Sequence, residues 1–122
     1  MPKKIILADD EKFIAIAYKD GLSRAGYDVT VANDGETALQ IIETEHPDLV
    51  LLDLIMPKMT GFEVLKALKA QPQLQAIPVI ILSNLSQATD ETEAKALGAA
   101  EFLVKSNLSL EELIKRLEPY LG

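Results

Sequence analysis

Five short apolar runs alternate along this chain with five segments of helical periodicity, and that alternation constrains the fold more than any other feature. The runs at 4–8, 27–31, 49–52, 79–82 and 102–104 are rich in Ile, Leu and Val, and all but the second are nearly continuously apolar. A strand with one face in water alternates polar with apolar residues. Continuous apolarity instead fits a parallel sheet whose two faces are both covered by helices.

The intervening segments carry helix-end chemistry. The first, 12–25, sets Ile14, Ala17, Tyr18, Gly21, Leu22 and Ala25 on one stripe and stops at Gly26. Asn33 with Glu36, Thr60 with Glu63 and Ser109 with Glu112 each have the spacing of a capping box, opening the second, third and fifth helices. The second ends at His46-Pro47, because the residue before a proline is pushed out of the helical region. The fourth spans 86–97 and stops at Gly98. Five such units in 122 residues are too few for an eight-stranded barrel of about 250 residues. They predict one α/β domain with a flavodoxin-like, doubly wound, five-stranded parallel sheet in the order 2-1-3-4-5, carrying five helices.

Composition narrows the function. Nineteen Asp and Glu against twelve Lys and Arg leave a net charge of -7, so no surplus of cations is available to neutralise a nucleic-acid backbone, and direct nucleic-acid binding is not expected. The chain has no cysteine, which removes disulfides, thiolate catalysis and thiolate zinc sites. Its longest apolar runs are strand-length, well short of the roughly 20 residues that cross a bilayer, so membrane insertion is not expected. Met1-Pro2-Lys3-Lys4 leads directly into the first strand without the pattern of a signal peptide, and a cytoplasmic location is the expectation.

In a sheet of this kind ligands bind at the carboxyl ends of the strands. Here the first strand runs out into Asp9-Asp10, the third into Asp53, the fourth into Ser83 and the fifth into Lys105. Three carboxylates, a hydroxyl and an ammonium are costly to bury unless paired or metal-bound. Oxygen ligands without His or Cys suit magnesium, which takes one or two carboxylates and keeps several waters. Asp9 and Asp10 would supply that site. Asp53 would be a nucleophile toward a phosphoryl group, Lys105 a fixed cation and Ser83 a hydroxyl donor to the new phosphoryl oxygen. Singly, each residue has a plainer reading: Asp9 and Asp10 as caps of the first helix, Asp53 as a turn residue, Lys105 as an edge charge, Ser83 as a loop cap.

Over essentially its whole length, 1–122, the chain resembles the receiver domains of two-component response regulators. The resemblance rests on Asp9-Asp10-Glu11, on Asp53-Leu54-Ile55-Met56-Pro57-Lys58-Met59-Thr60-Gly61, on Leu82-Ser83 and on Phe102-Leu103-Val104-Lys105, in that order and each at a strand end. It implies that Asp53 takes a phosphoryl group from a phosphohistidine on a sensor histidine kinase or a histidine phosphotransfer protein. It also implies a Mg2+ ion, or Mn2+ in its place, held directly by Asp10, through water by Asp9, by the Asp53 carboxylate and by the backbone carbonyl of Ile55. Ser83 and Phe102 match the family's switch pair. In it the hydroxyl moves toward the phosphoryl group, the ring turns inward, and the face of the fourth helix, fifth strand and fifth helix changes shape to control a downstream protein or a detached output domain. Homodimerisation on phosphorylation is left open. The implied protein is a signalling switch that catalyses only its own phosphotransfer and autodephosphorylation, and not an enzyme acting on a metabolite.

Two positions depart from the family pattern. Ser106 follows Lys105 where a cis-proline is usual, leaving a cis or trans bond open, and Asn84 stands where a very small residue is usual. Ile55 and Leu85, the positions two after the acceptor and two after Ser83, are apolar and unable to orient an attacking water, so a long-lived phosphorylated state is expected. Ile55 also argues against an aspartate-nucleophile phosphatase, which carries a second Asp at that position, and the acidic Asp9-Asp10-Glu11 against a flavin carrier's phosphate loop. Retention of all the charged residues argues against an unphosphorylated pseudo-receiver. Ile16, off the apolar stripe of the first helix and near Phe13, is open between a partner-facing patch and peripheral packing. Met56 and Met59 read as loop packing, and His46 as a helix-end residue.

Overall fold

The computed structural model describes residues 2–84 and 88–121. Its elements are β1 (Lys4–Ala8), α1 (Lys12–Arg24), β2 (Asp28–Ala32), α2 (Gly35–Glu45), β3 (Leu49–Leu52), α3 (Gly61–Lys69), β4 (Val79–Ser83), α4 (Ala88–Ala96), β5 (Glu101–Val104) and α5 (Leu110–Leu121), with a 3-10 turn at Lys105–Asn107 after β5. The strands form one parallel sheet in the order β2-β1-β3-β4-β5, as expected. The expected start of the fourth helix at Ser86, and Leu85, lie outside the described residues.

Successive side chains of a strand point to opposite faces, so each apolar strand feeds two cores. Ile6 and Ala8 of β1, Val50 and Leu52 of β3 and Ile81 of β4 join Ile42, Val64, Leu65, Leu68 and Ala94 beneath α2, α3 and α4. Ile5 and Leu7, Leu49 and Leu51, Ile80 and Leu82 join Leu22, Leu113, Leu117 and Leu121 beneath α1 and α5. At about 1.5–3 kcal/mol for each large side chain removed from water, this two-sided burial is the main favourable term. It also leaves the sheet's carboxyl rim as the place where polar side chains gather.

Two local details differ from the sequence reading. The buried side of α1 is Ala15, Gly21 and Leu22, while Ala17 and Ala25 are exposed. Gly21 faces the start of α5, where an added Cβ would overlap the end of the Leu110 side chain. Asn33 is not the cap of α2. Its amide donates to the Asp9 carbonyl at 3.1 Å, and Asp34 caps instead, accepting from the Thr37 N–H at 2.7 Å and the Thr37 hydroxyl at 3.0 Å. A carboxylate at that end also meets the positive pole of the helix dipole. The capping boxes Thr60–Glu63 and Ser109–Glu112 form as expected. Among the described residues no peptide bond is cis, so Lys105–Ser106 is trans.

Candidate functional site

The register that builds the sheet also builds the rim. Asp9 follows β1 and is tied to its neighbour strand by its own N–H to the Ala32 carbonyl, 2.9 Å, and by the Asn33 amide on its carbonyl. Asp53 follows β3, with its N–H on the Ala8 carbonyl at 3.0 Å. Gly61 then packs so close behind that an added Cβ would overlap the Asp53 carbonyl oxygen and lie 2.7 Å from the Leu54 Cα, while its N–H donates to the Leu54 carbonyl at 2.9 Å. Backbone bonds thus place both carboxylates before any side chain acts.

Asp9, Asp53, Ser83 and Lys105 are the buried polar side chains among the described residues, at 1%, 4%, 1% and 7% exposure. They meet in one network. The Asp53 carboxylate accepts from the Ser83 hydroxyl (2.9 Å) and the Ile55 N–H (3.2 Å) on Oδ1, and from Lys105 Nζ (2.9 Å) on Oδ2. Lys105 Nζ also lies 2.6 Å from Asp9 Oδ2 and 3.3 Å from Glu11 Oε1. The Asp9 contact is an ion pair without hydrogen-bond geometry, so Oδ2 is buried with no hydrogen bond among the described residues, while Oδ1 accepts from the Glu11 N–H at 2.9 Å. Burial alone would lower the Lys105 pKa, but the hydrogen bond to Asp53 and the opposing charges of Asp53 and Asp9 outweigh it and hold the ammonium well above its ordinary 10.5. Burial pushes the Asp9 carboxyl up from the usual carboxylate range, against the opposing pull of Lys105.

One ammonium does not neutralise this cluster. Asp9, Asp10, Glu11 and Asp53 set four carboxylates against Lys105, in a setting where uncompensated charge is expensive. Asp9, Asp10 and Asp53 each bring one oxygen to within 4.8 Å of the others. With only oxygen donors, and a buried Asp9 oxygen that accepts no hydrogen bond, these residues fit a hard divalent cation. Asp10 is exposed and lines, with Glu11, Asp53, Ile55, Ser83 and Asn84, a cleft of about 310 Å³ that opens onto Asp53. Ile55 is 59% exposed at its mouth.

Of the predicted site residues, Asp9, Asp10, Asp53, Ile55, Ser83 and Lys105 border this network or its cleft, and Phe102 does not. Phe102 is half-buried against the core beneath α3 and α4, on the face of the sheet that Ile81 shares. Ser83 Oγ is already turned onto Asp53, where the resemblance implies a hydroxyl that moves there only later. A buried carboxylate needs donors, and Ser83 supplies one. Sequence reasoning gave no role to Glu11 or to the Ile55 N–H and spent Asn33 as a cap. Their contacts depend on backbone positions that side-chain type does not reveal.

Residues 5–118 match the family described as the response regulator receiver domain. The chain is 37% identical over 124 residues to the alkaline phosphatase synthesis transcriptional regulatory protein PhoP of Bacillus subtilis, covering 97% of this chain and 51% of that protein. It is 41% identical over 119 residues to the probable transcriptional regulator ycf27 of Porphyridium aerugineum, covering 98% and 48%. It therefore spans about half the length of these curated relatives. Among solved structures, Vibrio cholerae chemotaxis response regulator CheY4 superposes with a TM-score of 0.91 at 35% identity, covering 99% of this chain and 100% of that one. A Francisella response regulator receiver domain gives 0.89 at 37%, covering 98% and 96%.

Because Lys105 separates two buried carboxylates, Lys105→Met is expected to cost about 3–5 kcal/mol at pH 7, measured by urea unfolding. Adding Asp9→Asn to that variant should recover part of the loss, since one buried charge fewer is left unpaired. The folded pKa of Lys105 is raised, so its contribution is complete below its unfolded value of 10.5 and is lost only as pH rises through the folded value. The difference between native and Lys105→Met should therefore stay level from neutral pH to about 10. A loss below about 1 kcal/mol would show that the ammonium does not hold the pair together.

Proposed function

This chain belongs to the response regulator receiver domain family, and from that premise we propose that Asp53 takes a phosphoryl group with a Mg2+ ion, or Mn2+, held by Asp9, Asp10, Asp53 and the Ile55 carbonyl. A receiver domain is a signalling switch. The observation that supports this assignment is the Asp53 carboxylate itself: only 4% exposed, gripped by Lys105 and Ser83 at 2.9 Å each, and facing an acidic cleft open to solvent.

The transfer breaks the P–N bond of a phosphohistidine and forms a P–O bond to an Asp53 oxygen, and the released imidazole leaves with its electron pair. Two anions must approach each other. Lys105 is placed to offset that repulsion and to hold the phosphoryl oxygens, and Ser83 to donate to one of them, so little reorganisation is needed at the moment of reaction. A bound cation supplies charge neutralisation on the same oxygens. The domain catalyses its own phosphotransfer and its own dephosphorylation and acts on no metabolite. Apolar Ile55 at the cleft mouth offers no group to orient a hydrolytic water.

Once Asp53 carries the phosphoryl group, Ser83 exchanges its carboxylate acceptor for a phosphoryl oxygen, and Phe102 and the α4-β5-α5 face shift in population with it. The donor is a sensor histidine kinase or a histidine phosphotransfer protein. The receiver of the signal is a downstream protein or an output domain, and a homodimer on phosphorylation is compatible with the same face. Among the described residues no helix is long and apolar enough to cross a membrane. A cytoplasmic setting and the lack of direct nucleic-acid contact by this acidic domain complete the reading.

Acetyl phosphate with magnesium should add one phosphoryl group by mass spectrometry, and Asp53→Asn should abolish it; undiminished labelling of that variant sinks the assignment. Magnesium titrations should show Asp10→Ala weakening binding more than Asp9→Ala, since Asp10 is assigned as a direct ligand and Asp9 as one acting through water. Equal losses, or the reverse order, would mean the pair is assigned wrongly. The label should persist for minutes or longer in excess magnesium and decay faster in Ile55→Asn. Loss within seconds from the native protein, or no acceleration in the variant, would refute water exclusion by Ile55.

A further inference from the structure

The loop from β3 to α3 carries the Ile55 carbonyl and is held from two sides by glycines. Gly61 presses on the Asp53 and Leu54 backbone from within α3, as described above. Gly35, the first residue of α2, presses from across the fold: a Cβ there would overlap the Met59 carbonyl oxygen and lie 2.7 Å from the Met59 Cβ and 2.8 Å from its carbonyl carbon. The Gly35 N–H points at the Pro57 carbonyl, 3.4 Å away. Beside this contact Lys58 adopts a left-handed φ of 69°, Met59 N–H closes onto the Pro57 carbonyl at 2.8 Å, and Lys58 Nζ reaches the α2 cap Asp34 at 3.9 Å. Yet α2 contributes no side chain to the acidic cleft.

We propose that Gly35 is a positioning residue for the metal site, setting the height of the 55–59 loop, and with it the Ile55 carbonyl, by letting the start of α2 seat against the Met59 backbone. The inference rests on the magnesium reading above. The obstacle met by any larger residue is main chain, which has no rotamer to yield. α2 is seated through Ala38 and Ile42, which are fully buried in the core, and the loop through Met56 alone of its residues 55–58, with Ile55, Pro57 and Lys58 exposed and the freer to move. A methyl at position 35 therefore displaces the loop, and the strain is passed through Met56 to Ile55. Magnesium demands near-octahedral geometry at short range, whereas calcium accepts irregular shells of oxygen ligands. A displaced carbonyl accordingly penalises magnesium more than calcium, but general loosening of the domain penalises both.

The test is titration of native protein, Gly35→Ala and Ile42→Val with MgCl2 and, separately, CaCl2, with amide NMR spectra of the metal-free proteins. Gly35→Ala is expected to weaken Mg2+ about tenfold, as loss of a ligand's support commonly does, and Ca2+ distinctly less. In the metal-free spectra its shifts should concentrate at 53–59 and the start of α2. Ile42→Val, a core truncation on the same helix, should leave the Mg2+ to Ca2+ ratio unchanged. Unaltered binding by Gly35→Ala, a proportionate loss of both ions, or shifts spread evenly over the sheet would overturn the proposal. Should Gly35→Ala not fold, Met59→Gly, which removes the Met59 Cβ facing Gly35 and loosens the loop there without a clash, must lower the Mg2+ to Ca2+ ratio; a native ratio there overturns it equally. If the native protein binds no magnesium, the metal reading fails, and the metal-free spectra alone decide whether Gly35 positions the loop.

Discussion

A single buried ammonium holds together the end of the fold where the chemistry lies. Lys105 Nζ stands 2.6 Å from Asp9 and 2.9 Å from Asp53, joining the ends of β1, β3 and β5, three strands of a five-stranded sheet. Two carboxylates taken out of water without a counter-charge would be costly to bury side by side. Paired through Lys105, both have a partner for their ionised forms, and the remaining negative charge is concentrated at one mouth. The same arrangement gives cohesion to the rim and leaves its charge unbalanced toward solvent, which suits a site that takes up cations and phosphoryl groups.

The fold was legible because two physical rules acted together without conflict. Strands such as Ile5–Leu7 and Val50–Leu52 are apolar on both faces, and both faces are covered; the order 2-1-3-4-5 is one of the few that short crossover connections leave to a sheet of this size. The acidic pair, Asp53, Ser83 and Lys105 were legible because each is a polar residue directly after a buried strand. What the sequence concealed was backbone-mediated. Asn33 looks like a cap, but a single-residue difference in where α2 begins gives that work to Asp34 and frees the Asn33 amide for the Asp9 carbonyl. The α1 stripe was misread at Ala17 and Ala25 because alanine carries little information about which side is covered. Gly35 and Gly61 carry no sign of their close contacts until the chains packed against them are seen.

The elements around the rim are anchored unequally. α5 buries Leu113, Leu117 and Leu121 at successive turns, whereas the described part of α4 buries Ala94 alone. A helix with so little apolar surface in the core is among the least costly to shift, and it adjoins β5, which holds Phe102 and leads to Lys105. Phe102 is half-buried at that seam. The Ser83 bond to Asp53 thus lies next to a helix whose described part is weakly anchored in the core.

The chain order of the rim has a consequence for folding. All the carboxylates of the cluster lie within the first 53 residues, while the ammonium that compensates them is 52 residues beyond Asp53. A growing chain that has made β1, β2 and β3 therefore gathers these acids before Lys105, their buried partner, has joined the sheet. The central strands acquire their hydrophobic partners early and their electrostatic partner last. Closing that long-range contact both completes the sheet and relieves the repulsion stored in it, so late assembly of the C-terminal third is favoured by charge as well as by burial.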